Sequence, residues 1–225
     1  VIIQYIGYRW DNSYSRDAIR QYKGKFLGVA RVNPESPAAP DDLSRLVEYE
    51  GWRGVRISPA ANASGDWIRG PLMPPLWRRT QHLRVPMTVL TSTARLPDVA
   101  LLIDRHPNLD VVIDHMADCP PEQPAELKKL LDLARFPRVF VKVSHTWSIS
   151  KQSYPYADTH EQVKKLYDAF GPQRLMWGTD WPLVERHCGY ARALALVRDE
   201  MKFLNDEDKR WMLAKTIERL WPFPA

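Results

Sequence analysis

The sequence predicts an α/β fold: a (β/α)8 TIM barrel that lacks its first strand and keeps seven parallel strands with outer helices. Three observations predict it. Apolar, β-branched runs recur roughly every 30 residues, the length of a strand–helix–strand unit. The runs are continuous rather than alternating, which is typical of parallel strands covered on both faces. The chain has only 10 glycines and no G-x-G-x-x-G string after its first run, which disfavours an open dinucleotide-binding sheet.

Seven runs are predicted to form the strands. The first begins at Val1 inside an apolar Val-Ile-Ile string, as a chain would that starts in mid-strand. Seven strands and this start predict an eight-stranded barrel with one strand absent, and an open seam between the first and last runs. In chain order the runs are Val1–Tyr5, Phe26–Val32, Gly54–Ser58, Val85–Leu90, Leu109–Asp114, Val139–Ser144 and Leu175–Thr179.

Amphipathic segments between the runs predict the helices. Pro40 suits a helix start, and the last two helices are predicted to break near Asn205. No linker or shift in composition divides the chain, so we expect a single domain over residues 1–225. The predicted helices are Ser15–Tyr22, Asp41–Glu50, Pro75–Leu83, Leu96–His106, Glu122–Ala134, Glu161–Phe170, Tyr190–Phe203 and Asp206–Leu220.

Composition narrows the class of partner. The net charge is +5, but 27 acidic residues are interspersed with 32 basic ones, and no nucleic-acid-binding motif accompanies them, so no nucleic-acid partner is expected. No apolar run reaches the ~18 residues that cross a membrane, and no leader pattern is present. Cys119 and Cys188 have no disulfide or zinc-site spacing, which predicts reduced thiols in a cytoplasmic protein. A small-molecule substrate is expected; the oligomeric state stays open.

Asp180 is the first candidate for chemistry. Functional groups of a barrel project from the C-terminal ends of its strands, and Asp180 follows the last predicted strand in LMWGTDWP. Between Trp177 and Trp181 its carboxylate is expected to be desolvated, which suits a general base or a metal ligand. The alternative is a helix N-cap or a buried structural aspartate.

His115 ends another predicted strand. Because side chains alternate along a strand, His115 is expected to face the same side of the sheet as Val111 and Ile113, and Asp114 the opposite side. An imidazole there could polarise a carbonyl, carry a proton or bind a metal. The alternative is a core histidine bonded to a neighbour.

Three further residues are candidates for substrate binding. Arg56 lies inside an apolar strand and needs an anionic partner, either a substrate carboxylate or an internal acid. Lys142 alternates with valines and is expected on the face opposite to them. His145 follows the same strand. Both are alternatively structural or exposed. The chain has no G-x-S-x-G, H-E-x-x-H or C-x-x-C string that would indicate another chemistry.

Several of these strings resemble one known family. RLMWGTDWP, ending at Pro182, closely resembles the eighth-strand motif of the amidohydrolase-related (amidohydrolase-2) family. VVIDHM and VFVKVS, which begin at Val111 and Val139, are similar to its sixth and seventh strands. Residues 11–34 and 216–223 also resemble the family. The resemblance implies a catalytic Asp180 and a site residue His115. It also implies a first strand that ends in Asp-x-His-x-His, which this sequence lacks and which we expect to precede Val1.

The resemblance also implies a reaction class. The family includes pyrone-dicarboxylate and sugar lactonases and metal-dependent decarboxylases. Metal-binding members carry a histidine after the fifth strand, where this chain has Thr91. This favours a lactonase that needs no metal. Asp180 would activate water, His115 would stabilise the oxyanion, and Arg56 would hold a substrate carboxylate. The alternatives are a decarboxylase with one divalent ion such as zinc on His115 and Asp180, and a truncated barrel without activity.

Overall fold

Seven parallel strands form one sheet in the order of the chain, from β1 to β7. The computed structural model of the chain describes residues 1–60 and 63–223. Each strand is shorter than the apolar run that predicted it, because residues at one or both ends of the run lie outside the paired strand. The strands are β1 (Ile2–Ile3), β2 (Gly28–Arg31), β3 (Val55–Ile57), β4 (Met87–Val89), β5 (Val111–Ile113), β6 (Val139–Val143) and β7 (Leu175–Trp177).

The open seam predicted from the sequence is confirmed. Each strand pairs with the next one in the chain, and in the described residues β1 and β7 do not pair with each other. The sheet is therefore an α/β barrel that lacks one strand. All seven carboxyl ends lie along one rim, which is where barrels place their functional groups.

Helices cover the outer face of this sheet. Four of them begin with proline in the first turn, where its missing N–H costs nothing. Sequence reasoning missed the short helix after β6. The helices are α1 (Ser13–Gln21), α2 (Ala39–Glu50), α3 (Met73–His82), α4 (Leu96–Arg105), α5 (Pro124–Leu131), α6 (Thr146–Ile149), α7 (His160–Phe170), α8 (Gly189–Ala195), α9 (Asp206–Arg210) and α10 (Thr216–Leu220).

The predicted break near Asn205 is confirmed. Asn205 accepts a hydrogen bond from the backbone of Asp208, and the Asp208 side chain accepts one in return. This capping box starts α9. Residues 196–200 and 211–215 are π-helical, so the two long predicted helices are each interrupted. No helix within the described ranges is long and apolar enough to cross a membrane.

Two apolar layers result from strand alternation. On the outer face, residues such as Val55, Val111 and Val141 pack against the helices. The inner face begins with a smaller apolar floor, to which Trp221 at the end of the chain contributes. The floor consists of Val29, Val112, Phe140, Met176, Leu220 and Trp221. Toward the carboxyl ends of the strands, the residues of the inner face are polar instead of apolar. The site lies at this polar end of the sheet.

Candidate active site

Three side chains from the ends of β5, β6 and β7 converge at the rim. His115 Nε2 lies 3.8 Å from Asp180 Oδ1, and His145 Nε2 lies 3.7 Å from Asp180 Oδ2. The two imidazole rings are 4.9 Å apart, centroid to centroid. The structure therefore brings together Asp180, His115 and His145, which the sequence placed at three separate strand ends.

A left-handed backbone aims these side chains. His115, His145 and Asp180 have φ values of 51°, 63° and 55°. Positive φ is uncommon for residues other than glycine and costs about 1–2 kcal/mol per residue. Such strain is concentrated at functional sites, where the surrounding structure enforces it. Because of the left-handed turn, the regular alternation of side chains along β5 stops before His115. The prediction that His115 faces the same side of the sheet as Val111 is therefore wrong.

Each imidazole makes a hydrogen bond through Nδ1, the ring nitrogen that does not face Asp180. His145 Nδ1 lies 3.0 Å from Asp118 Oδ1, and since a carboxylate only accepts, Nδ1 donates. His145 Nε2 is then an unprotonated acceptor in the neutral ring. His115 Nδ1 lies 2.8 Å from Ser144 Oγ, a hydroxyl that can donate or accept. Both rings therefore present Nε2 toward Asp180.

Burial keeps His115 uncharged. Loss of water lowers the pKa of His115 to about 4, although the neighbouring Asp114 carboxylate opposes the shift. At neutral pH its Nε2 is available either as a lone pair or as an N–H, depending on which way the Ser144 hydroxyl points.

The donor set fits a divalent metal ion. Nitrogen and oxygen atoms of His115, His145 and Asp180 all lie within 4.8 Å of one another. Zinc bonds of about 2.0–2.2 Å in tetrahedral geometry separate ligands by roughly 3.4 Å, close to the 3.7 and 3.8 Å observed. The Asp118–His145 pair has the form of the carboxylate–histidine arrangement that orients metal ligands. A His-His-Asp group that could bind a metal is thus present.

Arg56 and Lys142 meet on a buried acid beside this trio. Asp114 is fully buried; Arg56 Nη2 lies 2.8 Å from its Oδ2, and Lys142 Nζ contacts its Oδ1. Burial alone would raise the pKa of Asp114, but the two cations outweigh it and hold that pKa below its usual range. The internal acid that the sequence offered as one partner for Arg56 is therefore Asp114. Lys142 lies on the inner face, as alternation predicted.

The two tryptophans beside Asp180 do not cover its carboxylate. Alternation places Trp177 in the outer layer, where its Nε1 donates to the carbonyl of Ala193. Trp181 is 67% exposed. The expectation that both would desolvate Asp180 is wrong; the imidazoles of His115 and His145 flank the carboxylate instead.

Sequence reasoning missed several residues near the site. Asp118 lies five residues beyond the end of β5, so the rule that functional groups follow strand ends does not select it, and only its contact with His145 identifies it. Trp147 packs edge-on to His145 at 4.3 Å and stacks on His187 at 3.8 Å. Only their shared aromatic character marks these residues in the sequence.

Two curated relatives are lactone hydrolases by name. L-fucono-1,5-lactonase from Burkholderia ambifaria is 29% identical over 196 residues, which cover 84% of this chain and 66% of the lactonase. 4-Sulfomuconolactone hydrolase from Hydrogenophaga intermedia is 27% identical over 186 residues, covering 80% and 57%. The chain thus spans less than two thirds of the length of these relatives.

Solved structures share the fold. A proposed 2-pyrone-4,6-dicarboxylic acid hydrolase from Pseudomonas putida superposes with a TM-score of 0.85 at 24% identity, over 100% of this chain and 82% of that one. 5-Carboxyvanillate decarboxylase from Sphingomonas paucimobilis is more distant, with a TM-score of 0.70 at 15% identity over 96% and 72%. The sequence model of the amidohydrolase family matches residues 1–223. The chain therefore belongs to the amidohydrolase family, as its strand motifs indicated.

Proposed function

We propose that the protein hydrolyses a small carboxylated lactone or cyclic ester. The observation that carries the proposal is the position of Asp180, whose two carboxylate oxygens each face an imidazole Nε2 at 3.8 and 3.7 Å. A carboxylate in this position can take a proton from water, and the uncharged imidazole of His115 beside it can donate an N–H to the negative charge that develops. Arg56 would hold the substrate carboxylate.

The reaction follows from the hydrogen-bonding partners. Water attacks the lactone carbonyl carbon while Asp180 takes its proton. With the Ser144 hydroxyl donating to Nδ1 of His115, Nε2–H of His115 donates to the oxyanion. The ring C–O bond then breaks, and the leaving alkoxide takes the proton back from Asp180. The product is a hydroxy acid, and atoms and charges balance.

The relatives support this substrate class. Both curated relatives carry names of lactone hydrolases, whereas the decarboxylase shares only the fold at 15% identity. Because the chain covers less than two thirds of either lactone hydrolase, lactone hydrolysis remains a proposal for this protein. We also propose one barrel domain over residues 1–225 and a cytoplasmic location, supported by a continuous sheet and two free cysteines.

The proposed hydrolysis does not require a metal. The presence of Thr91 at the position where metal-binding members of the family have a histidine favours this metal-free reaction. A metal-dependent enzyme, a hydrolase or a decarboxylase, is the second candidate, supported by the His115, His145 and Asp180 donor set. When bound there, a divalent ion such as zinc would polarise a substrate carbonyl as a Lewis acid. His145 would be oriented for it by Asp118.

One experiment separates the candidates. The protein is assayed with carboxylated lactones by pH-stat titration, and with aromatic carboxylic acids by release of carbon dioxide. Each assay is run as prepared, after chelation, and after chelation with added zinc or manganese. We expect lactone turnover that survives chelation. Turnover that is lost on chelation and restored by metal would overturn the metal-free mechanism. Absence of both activities in folded protein would support an inactive barrel.

A further inference from the structure

A row of three polar residues crosses the inner face of the sheet next to the site. Arg31 on β2 pairs in register with Arg56 on β3, and Arg56 pairs with Thr88 on β4. The three residues are only 3%, 8% and 0% exposed. We call them the inner row. They are built into the strands, and so their positions are fixed by the sheet.

The inner row contains donors without partners. Arg31 Nε, Arg56 Nε and Thr88 Oγ1 are buried, and none has a hydrogen-bond partner among the described residues. Arg31 donates from Nη1 to Ser58 Oγ at 2.8 Å, and Arg56 reaches Asp114 through Nη2. Asp114 Oδ2, next to Arg56, also lacks a hydrogen-bond partner among the described residues. Folded proteins rarely leave buried donors unpaired, and three of them on neighbouring strands can together bind an anionic acceptor.

The charges near the inner row do not balance. Asp114 is shared by Arg56 and Lys142, whereas Arg31 makes no ion pair within the described ranges. Burial and then repulsion by Arg56 lower the pKa of Arg31 to about 10, which is consistent with a cation in excess. The guanidinium of Arg31 lies over the Trp10 ring, 5.2 Å from its centroid. A buried, unpaired arginine is costly unless an anion joins it.

We propose that Arg31, together with Arg56 and Thr88, binds the carboxylate of the substrate and makes the enzyme selective for anionic lactones. This assignment rests on the proposed lactone hydrolysis and adds Arg31 and Thr88 to it. Arg56 stays on Asp114 through Nη2 and offers Nε to the carboxylate. Arg31 supplies the charge that Asp114 does not neutralise, and Thr88 donates the third hydrogen bond.

Binding is measured by calorimetry with tetrahydrofuran-2-carboxylate, a ring ether that cannot be hydrolysed, and with its neutral carboxamide. We expect the carboxylate to bind more tightly than the amide, and Arg31→Met to weaken carboxylate binding roughly tenfold to hundredfold, the range for hydrogen bonds to charged groups. Thr88→Val should weaken it less. Arg105→Gln on the exposed face of α4 removes the same charge and should change nothing.

Thermal unfolding distinguishes a ligand site from a structural role. Arg31→Met removes an uncompensated buried cation, so its Tm without ligand should equal or exceed that of the wild type. A folded Arg31→Met protein that binds the carboxylate as the wild type does would overturn the proposal, and so would an equal affinity of the wild type for carboxylate and amide. A lower Tm with unchanged binding would make Arg31 structural. Because binding is measured without turnover, absent lactonase activity would refute the proposed reaction but not the anion site.

Discussion

Asp118 accepts a hydrogen bond from His145 at 3.0 Å and thereby fixes which nitrogen of the imidazole faces Asp180. The acid lies beyond β5 and the histidine beyond β6, and both have left-handed backbone conformations. A short segment after one strand thus selects the tautomer of an imidazole that follows the next strand. The consequences can be tested at each member of the group.

The Asp180→Asn protein should fold normally and lose most of its activity. The amide cannot accept a proton from water, so kcat should fall roughly 10²–10⁴-fold. The Tm should change little, because among the described residues the polar contacts of the Asp180 carboxylate are long, at 3.7 and 3.8 Å. Turnover and thermal unfolding are measured on one preparation, beside Asp132→Asn, a surface control. Near-normal turnover would end the catalytic assignment of Asp180.

The Asp118→Asn protein should lose activity through His145. An amide oxygen still accepts the Nδ1 hydrogen bond, but the variant no longer has a negative charge beside the imidazole. Loss of such a partner typically costs about 10–100-fold in activity or metal affinity. The measurements are kcat and zinc affinity, the latter by competition with a chelator. Values equal to those of the wild type would show that His145 functions without Asp118.

His115 should make stability depend on pH in the chelator-treated protein. Its pKa is lowered from 6.5 to about 4 in the folded state, so the unfolded chain binds more protons between these values. Stability is then full above about pH 6.5 and falls as the pH decreases toward 4, by an amount on the order of 3 kcal/mol. Asp114, whose pKa is lowered from 3.8, makes stability depend on pH only at lower pH, outside this window.

Urea unfolding of wild type and His115→Gln at several pH values tests this effect. The variant should show a flatter dependence between about pH 4 and 6.5, because it lacks the group that takes up the proton on unfolding. Parallel curves for the two proteins would exclude His115 as the source.

Gly178→Ala should disturb the buried ion pair of Lys142. A Cβ at position 178 would lie 2.9 Å from Cδ of Lys142, which is too close, so the Lys142 side chain would have to shift and its contact with Asp114 would be disturbed. Overpacking of this kind costs about 1–3 kcal/mol. In a Lys142→Ala background the same substitution should cost much less. Equal costs in both backgrounds, measured by chemical unfolding, would contradict the contact.

The sequence predicted the layers of the fold better than the site. Apolar runs give strands, and Pro40 and Asn205 give helix starts, because these are local preferences. Strand ends likewise located Asp180, His115 and His145. Local patterns do not report left-handed turns, so the direction of His115 and the exposure of Trp181 were wrong. The hydrogen bond between Asp118 and His145 joins positions 27 residues apart. It can be recognised only once the sheet has brought the ends of β5 and β6 together.

The apolar floor of the inner face has a consequence for how the chain folds. Trp221 donates its indole N–H to the carbonyl of Arg53 at 2.9 Å, a contact that spans 168 positions. The floor is therefore completed only after a segment 168 positions beyond Arg53 has been made. At about 5–20 residues per second, Arg53 waits roughly ten to thirty seconds before Trp221 exists. Until then Val29 and Phe140 lack part of the apolar cluster that buries them in the folded chain, and incompletely covered apolar surface of this kind favours association with other chains.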